Sequence, residues 1–293
     1  MVKYLLAHMT AKEAQEAIKK RKIVVFPLGA IHKHGDGPVG TDMFSCQELA
    51  RRLGEAIPEK VIVLPTLPYG VSEASALPGG IDTSFTAVQE MVRDVCMSFV
   101  KHGIKHILFI TGHGGNDAAC LGVASELHKH GVLSAYVRWW DLILQLKGNK
   151  EPSYRNVNIL EQSVDAALGL NELSILRDGE TRTEAFQLRL RDEVFGDTFM
   201  YPDKMKGTII CAGESPVVTR IPHGVVYEGG TIQIPLPRAP IDINNPEPGE
   251  WKSIADMVSA EKGEDILETC VEWLVKFLEE FEKLKLPEEY QKV

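Results

Sequence analysis

A three-layer α/β/α domain around a central, mainly parallel sheet is the fold class this sequence predicts, and three observations predict it. Short apolar runs such as Ile107-Leu108-Phe109-Ile110 are bounded by glycine-rich loops. They alternate with longer segments whose apolar residues recur at helical spacing. No low-complexity linker or tandem repeat breaks the order, so one domain over residues 1–293 is expected. Repeated strand and helix segments require right-handed crossovers, which give a parallel sheet covered on both faces.

The elements follow in order. Thr10-Ala11-Lys12-Glu13 is a capping-box pattern and opens a short helix with Ala14, Ala17 and Ile18 on one face. Lys22 to Leu28 reads as a buried strand, followed by a glycine-rich loop and a helix from about Met43 to Ile57. A second strand, Val61 to Pro65, leads into the Pro/Gly-rich stretch Leu67 to Gly80. A long helix from about Ser84 to His102 precedes a strand from Lys105 to Thr111. A helix from about Asp117 to His130 then leads to a strand from Leu133 to Trp140. The carboxyl third is less regular: a helix around Ile159 to Leu168, another at Thr183 to Arg191, and short antiparallel strands within Thr208 to Pro240. A final helix from about Glu264 to Glu282 places Ile266, Cys270, Leu274, Phe277 and Phe281 on one stripe.

The chemistry concentrates in two loops. Gly29-Ala30-Ile31-His32-Lys33-His34-Gly35 and Thr41-Asp42 follow the first strand, and Gly112-His113-Gly114-Gly115-Asn116 follows the third. In an extended stretch, residues two apart point to the same side, so His32 and His34 can face one centre. Imidazole and carboxylate donors suit Zn, Mn or Fe(II), whereas a carboxylate-only cage suggests Mg or Ca. Glycines around such donors let the backbone bend and leave room for substrate. Ligands of open α/β sheets bind beyond the carboxyl ends of the strands, where both loops belong.

Composition narrows the partners. A net charge of -9 disfavours nucleic acid and anionic membrane surfaces as main partners, and does not itself name the small-molecule substrate that is expected. The five cysteines, Cys46, Cys96, Cys120, Cys211 and Cys270, show no C-x-x-C spacing and read as small core residues in a reducing cytoplasm. The amino terminus lacks a signal-peptide pattern, and no apolar stretch reaches the roughly 20 residues of a membrane helix. Ser72 and Glu73 either contact substrate or serve as surface turn residues. Trp139 and Trp140 end a strand on the site side, and alternation turns one of them to the core. His102, His106, His128 and His130 are expected on helix ends or exposed faces.

At these motifs the chain resembles the creatininase (creatinine amidohydrolase) family, whose metal signature reads approximately E-Q-H-G followed by T-D. His32-Lys33-His34-Gly35 and Thr41-Asp42 occupy those blocks, and Gly112 to Asn116 matches the family's G-H-G-G-N. Gly70-Val71-Ser72-Glu73, Leu77-Pro78-Gly79 and Ser259-Ala260-Glu261-Lys262-Gly263-Glu264 resemble three further blocks, so the similarity runs over nearly the whole chain. The resemblance implies a metal-dependent hydrolase with one or two divalent ions per subunit, held by His32, His34, Asp42, His113 and Glu184. Asp42 is the candidate to bridge two ions. Glu184 or Glu73 would act as base or proton carrier, and Ser72, Gly114, Trp139 and Trp140 would meet the substrate. It also implies a homo-oligomer, often a hexamer.

Two departures shape the expected reaction. His32 stands where the family usually has glutamate, which removes one negative charge and makes a bound water more acidic. In Gly179-Glu180-Thr181-Arg182-Thr183-Glu184, glycine replaces the histidine that transfers a proton in creatinine-hydrolysing relatives. An amine leaving group needs that proton, whereas an enolate departs by delocalisation. The reading therefore leans to carbon-carbon hydrolysis of a cyclic polyhydroxy diketone derived from an inositol, as in inositol catabolism. Cyclic amide hydrolysis is the alternative, and a catalytically silent small-ligand-binding relative is the alternative of another class. A nicotinamide enzyme is disfavoured because neither loop spells G-x-G-x-x-G.

Overall fold

The computed structural model describes residues 2–32, 34, 37–72, 79–148, 150–170, 205–207, 224–227, 230–233 and 256–286. Among them, α1 spans Ala11–Lys20, β1 Ile23–Leu28, α2 Thr41–Ala56, β2 Val61–Val63 and α3 Phe85–Val100. Then come β3 (His106–Thr111), α4 (Asp117–Lys129), β4 (Leu133–Arg138), α5 (Trp139–Ile143) and α6 (Val157–Ala167). Three short strands follow, β5 (Met205–Gly207), β6 (Gly224–Tyr227) and β7 (Gly230–Gln233), and α7 covers Ala260–Phe281. The chain divides into two compact units, Met1–Gly179 with Asn244–Val293, and Glu180–Ile243.

In the larger unit, β1 to β4 form a parallel sheet in the order β2-β1-β3-β4. Every residue of β1, β2 and β3 is buried, as expected of strands covered on both faces. Alternate residues serve opposite layers. Ile23, Val25, Leu108 and Ile110 pack with buried residues of α2, α5, α6 and α7. Val24, Phe26, Leu28, Ile107 and Phe109 pack with α1, α3 and α4. The three-layer α/β/α expectation holds for this unit. In the smaller unit, β5, β6 and β7 pair antiparallel, as the Val- and Gly-rich sequence there suggests.

Local chemistry explains the helix starts. Thr10 and Glu13 form the expected capping box of α1, and the Ser84 side chain accepts from the backbone N–H of Ala87 to cap α3. Helix α7 begins four residues before the expected Glu264, because Ser259 caps it by accepting from the N–H of Lys262.

Two expectations are corrected. Strand β4 stops at Arg138, whose guanidinium pairs with the Asp141 carboxylate at 2.7 Å, so Trp139 and Trp140 open a helix instead of ending a strand. Helical spacing then carries both indoles into the layer of α2 and α7, 1% and 8% exposed, rather than to opposite faces. His106 is not on an exposed surface. It opens β3, is buried, and lies 2.9 Å from the Leu284 carbonyl with its ring edge-on to Phe281. The expected helix at Thr183 to Arg191 falls outside the described residues.

Candidate metal centre

The strand order places β1 and β3 side by side although β2 lies between them in sequence. The connection out of β1 runs to one edge and the next returns past β1 to the other, so these two carboxyl ends form the switch point at which open α/β sheets bind their ligands. Their register ends level, with Leu28 opposite Thr111, so the loops that follow leave the sheet together.

Close backbone approaches fix those loops. A Cβ at Gly112 would run into the carbonyl oxygen of Asp42, and one at Gly115 into that of Val71. Only glycine allows both approaches. Asn116, fully buried, donates from Nδ2 to the Gly29 carbonyl at 3.1 Å and accepts from the Val71 N–H at 3.0 Å, which ties three loop segments together. Helix α2 starts at Thr41, two residues ahead of the expected Met43, so Asp42 lies in its first turn, where the helix N-terminus favours a negative charge.

The side chains converge on Asp42. Its Oδ1 lies 3.1 Å from His34 Nε2 and its Oδ2 lies 2.7 Å from His113 Nδ1. Glu161 Oε2, on α6, is 3.8 Å from the same His34 nitrogen. His34, Asp42 and Glu161 each offer a donor atom, and these atoms all lie within 4.8 Å of one another. The His32 ring sits 5.1 Å from that of His34 and 5.2 Å from that of His113, with its Nδ1 2.9 Å from Ser72 Oγ.

The second nitrogen of each inner imidazole meets a backbone carbonyl. His34 Nδ1 is 3.1 Å from the His32 carbonyl, and His113 Nε2 is 2.9 Å from that of Val71. A carbonyl can only accept, so these bonds put the ring protons on His34 Nδ1 and His113 Nε2. A neutral ring then turns a lone pair toward the Asp42 carboxylate. Acceptors face acceptors, and the arrangement requires a second proton on each ring or a cation among them.

Charge counting sharpens this. Asp42, Glu161 and Asp165 are three carboxyls at 1%, 5% and 0% exposure. Burial alone would raise the Asp42 pKa, but His34 and His113 beside it more than offset this and hold it well below the usual carboxylate range. Asp165 is pushed up to about 7 by burial, which the Thr41 hydroxyl beside it only partly opposes. Cys46 and Cys120 are held as neutral thiols by burial and serve as core residues.

Of the residues singled out in the sequence, the structure brings His32, His34, Asp42, His113 and Ser72 together, with Gly114 next to His113. It places Trp139 and Trp140 in the core. Glu73, Gly179, Glu180 and Glu184 lie outside the described residues. Glu161 and Asp165 were missed. Their spacing, two acids at i and i+4 of one helix, does not set them apart from a solvated face such as that of Glu268 and Glu272.

An open parallel α/β/α unit with histidine and carboxylate groups gathered at its switch point carries a candidate metal centre. The sequence profile of the creatininase family, described as creatinine amidohydrolase, matches residues 7–167, more than half of the chain. The chain belongs to the creatininase family. Solved structures agree on the fold. A mutant creatininase of Zn-Zn type superposes with a TM-score of 0.62 at 20% identity, covering 96% of this chain and 99% of that one. A mutant creatininase complexed with creatine gives 0.61 at 19%, with coverage of 96% and 99%. A putative creatinine amidohydrolase from Bacteroides fragilis gives 0.59 at 20%, with 98% and 99%. No curated protein matches the sequence.

Proposed function

We propose that the protein is a divalent-metal-dependent hydrolase that opens the ring of a small polar cyclic carbonyl compound. One observation carries the reading. Two buried imidazoles, each spending its N–H on a backbone carbonyl, present their other nitrogen to one buried carboxylate. That outer bond to a carbonyl is how metal-binding histidines are commonly oriented.

His34, Asp42 and Glu161 would hold one ion, and His113 with the second Asp42 oxygen would serve another, helped by His32. The resemblance adds Glu184. The donor set suits Zn or Mn better than Mg, and a relative of this fold is named as a Zn-Zn form. The three buried carboxyls and the acceptor-to-acceptor contacts fit a cation. When bound, such an ion lowers the pKa of water and polarises a carbonyl. The chain's own part is to orient and exclude. The first turn of α2 holds Asp42, the loop carbonyls set the ring protons, and Asn116 keeps both loops in register. Ser72 and Gly114 line the substrate side in this reading, while Trp139 and Trp140 support the core beneath. Glu73 and Glu184 remain the candidates for moving a proton.

For substrate, we favour carbon-carbon hydrolysis of an inositol-derived cyclic diketone, because Gly179 stands where an amide hydrolase of this family keeps its acid. Cyclic amide hydrolysis is the second reading, supported by the family's description as creatinine amidohydrolase. One domain is part of the proposal, since the aligned structures cover almost the whole chain. A homo-oligomer is expected from the resemblance.

The test is to incubate the Mn- or Zn-loaded protein with a cyclic polyhydroxy diketone and with creatinine, and to follow addition of water by mass spectrometry. Ring opening of the diketone alone is expected, and turnover of the amide alone reverses the ranking. If elemental analysis finds no stoichiometric metal and added metal does not raise thermal stability, the silent ligand-binding reading replaces both.

A further inference from the structure

We propose that Asp165 is a positioning residue: through the hydroxyl of Thr41 it braces α6 against the start of α2, and so holds Glu161 and Asp42 at chelating distance. The inference rests on the metal reading above. Thr41 is the first residue of α2, immediately before Asp42, and Asp165 lies one helical turn after Glu161 on α6. The Thr41 hydroxyl is 2.7 Å from an Asp165 carboxyl oxygen and also 2.7 Å from the Pro38 carbonyl. Both Thr41 and Asp165 are fully buried.

A hydroxyl has a single proton and here faces two acceptors. The chain of contacts is completed when Thr41 donates to Pro38 and a protonated Asp165 donates to Thr41. A carboxyl titrating near 7 can supply that proton, and its other oxygen, Oδ1, has no hydrogen-bond partner among the described residues. The brace thus links three segments: the ligand loop at Pro38, the start of α2, and α6. A second contact runs the same way, since a Cβ at Gly37 would strike the Gln162 side chain, so the loop leans on α6 there too. Asp42 and Glu161 come from elements far apart in the chain, and these contacts set their separation.

The experiment compares metal affinity in the full chain. Wild type, Asp165→Ala, Asp165→Asn, Thr41→Val, Thr41→Ser and the Thr41→Val/Asp165→Ala pair are stripped with chelator and titrated with Mn and with Zn, well below the melting temperature of each. Loss of the brace is expected to weaken binding by about 10-fold or more in Asp165→Ala and Thr41→Val, the scale of lost outer-shell support. Asp165→Asn and Thr41→Ser keep a hydrogen-bonding group and should stay within about 3-fold of wild type, and the double variant should lose no more than the worse single one. A merely structural role would lower melting temperature without this pattern. The inference is overturned if both Asp165→Ala and Thr41→Val bind as wild type does. It is also overturned if Asp165→Asn binds as weakly as Asp165→Ala, because charge and not the bond would then matter. Should Asp165→Ala not fold, Thr41→Val against Thr41→Ser decides. Wild type that takes up no metal ends the metal reading, whereas wild type that binds beside unimpaired variants ends the brace alone.

Discussion

The loops after β1 and β3 and the buried face of α6 bring donors to one place by opposite routes. The loops carry His34 and His113 in glycine-rich turns, where backbone packs on backbone and Asn116 stitches the pieces. Helix α6 carries Glu161 inside a run from Ile159 to Asp165 in which every residue is buried. In the loops, the backbone conforms to the site. On the helix, regular geometry is kept and two acids are buried at a cost. Donors delivered by loops are visible in sequence through their glycines, whereas donors delivered by a helix resemble a solvated face until the packing partner is known.

The comparison breaks first at Asp42, which both routes share. Asp42→Ala should reduce metal affinity by more than the roughly 10–100-fold typical of outer-shell losses, as read by equilibrium dialysis with elemental analysis. Retained binding would mean that loop and helix do not serve one ion. On the loop side, Gly112→Ala drives a methyl group into the Asp42 carbonyl and should cost about 3 kcal/mol in urea unfolding. On the helix side, Glu161→Gln should leave the melting temperature of the stripped protein unchanged or higher and weaken metal binding by about 10–100-fold. Unaltered affinity would confine the site to the loops.

A finer contrast uses pH. Asp165 rises from 3.8 to about 7 on folding, so between those values the folded state holds the extra proton. Stability of the stripped protein therefore falls as pH rises through that window, and the penalty is complete above about 7. Asp165→Asn removes the penalty, and its stability relative to wild type should grow across the window by roughly 4 kcal/mol in paired unfolding curves. The smallest effect belongs to the surface. Glu126→Gln, which removes the charge from the half-exposed pair with Arg93 at 2.9 Å, should change neither the melting temperature nor the metal affinity measurably.

How much could be read beforehand follows from the same contrast. The sheet was legible because its strands are buried on both faces and spell continuous apolar runs, and the placing of His34, Asp42 and His113 beyond the strand ends follows from sheet topology. Trp139 and Trp140 misled because an apolar run does not say where a strand bends into a helix, and the Arg138–Asp141 pair that favours the turn is a local ionic contact. His106 misled because a histidine at a strand start is buried only when a distant segment, here Leu284, covers it. Glu161 and Asp165 escaped because their burial depends on α2 and α7 packing against α6, contacts between residues 124 and 96 positions apart in the chain.

The contact between Gly112 and the Asp42 carbonyl has a consequence for how such a site can change. Two ligand-bearing segments share one point of backbone, so lengthening either segment displaces a donor on the other. Evolution or engineering within this scaffold is therefore steered toward exchanging side chains in place, which is what the family resemblance implies at His32. Insertions are left to the regions that do not touch this hinge point between the two strand exits.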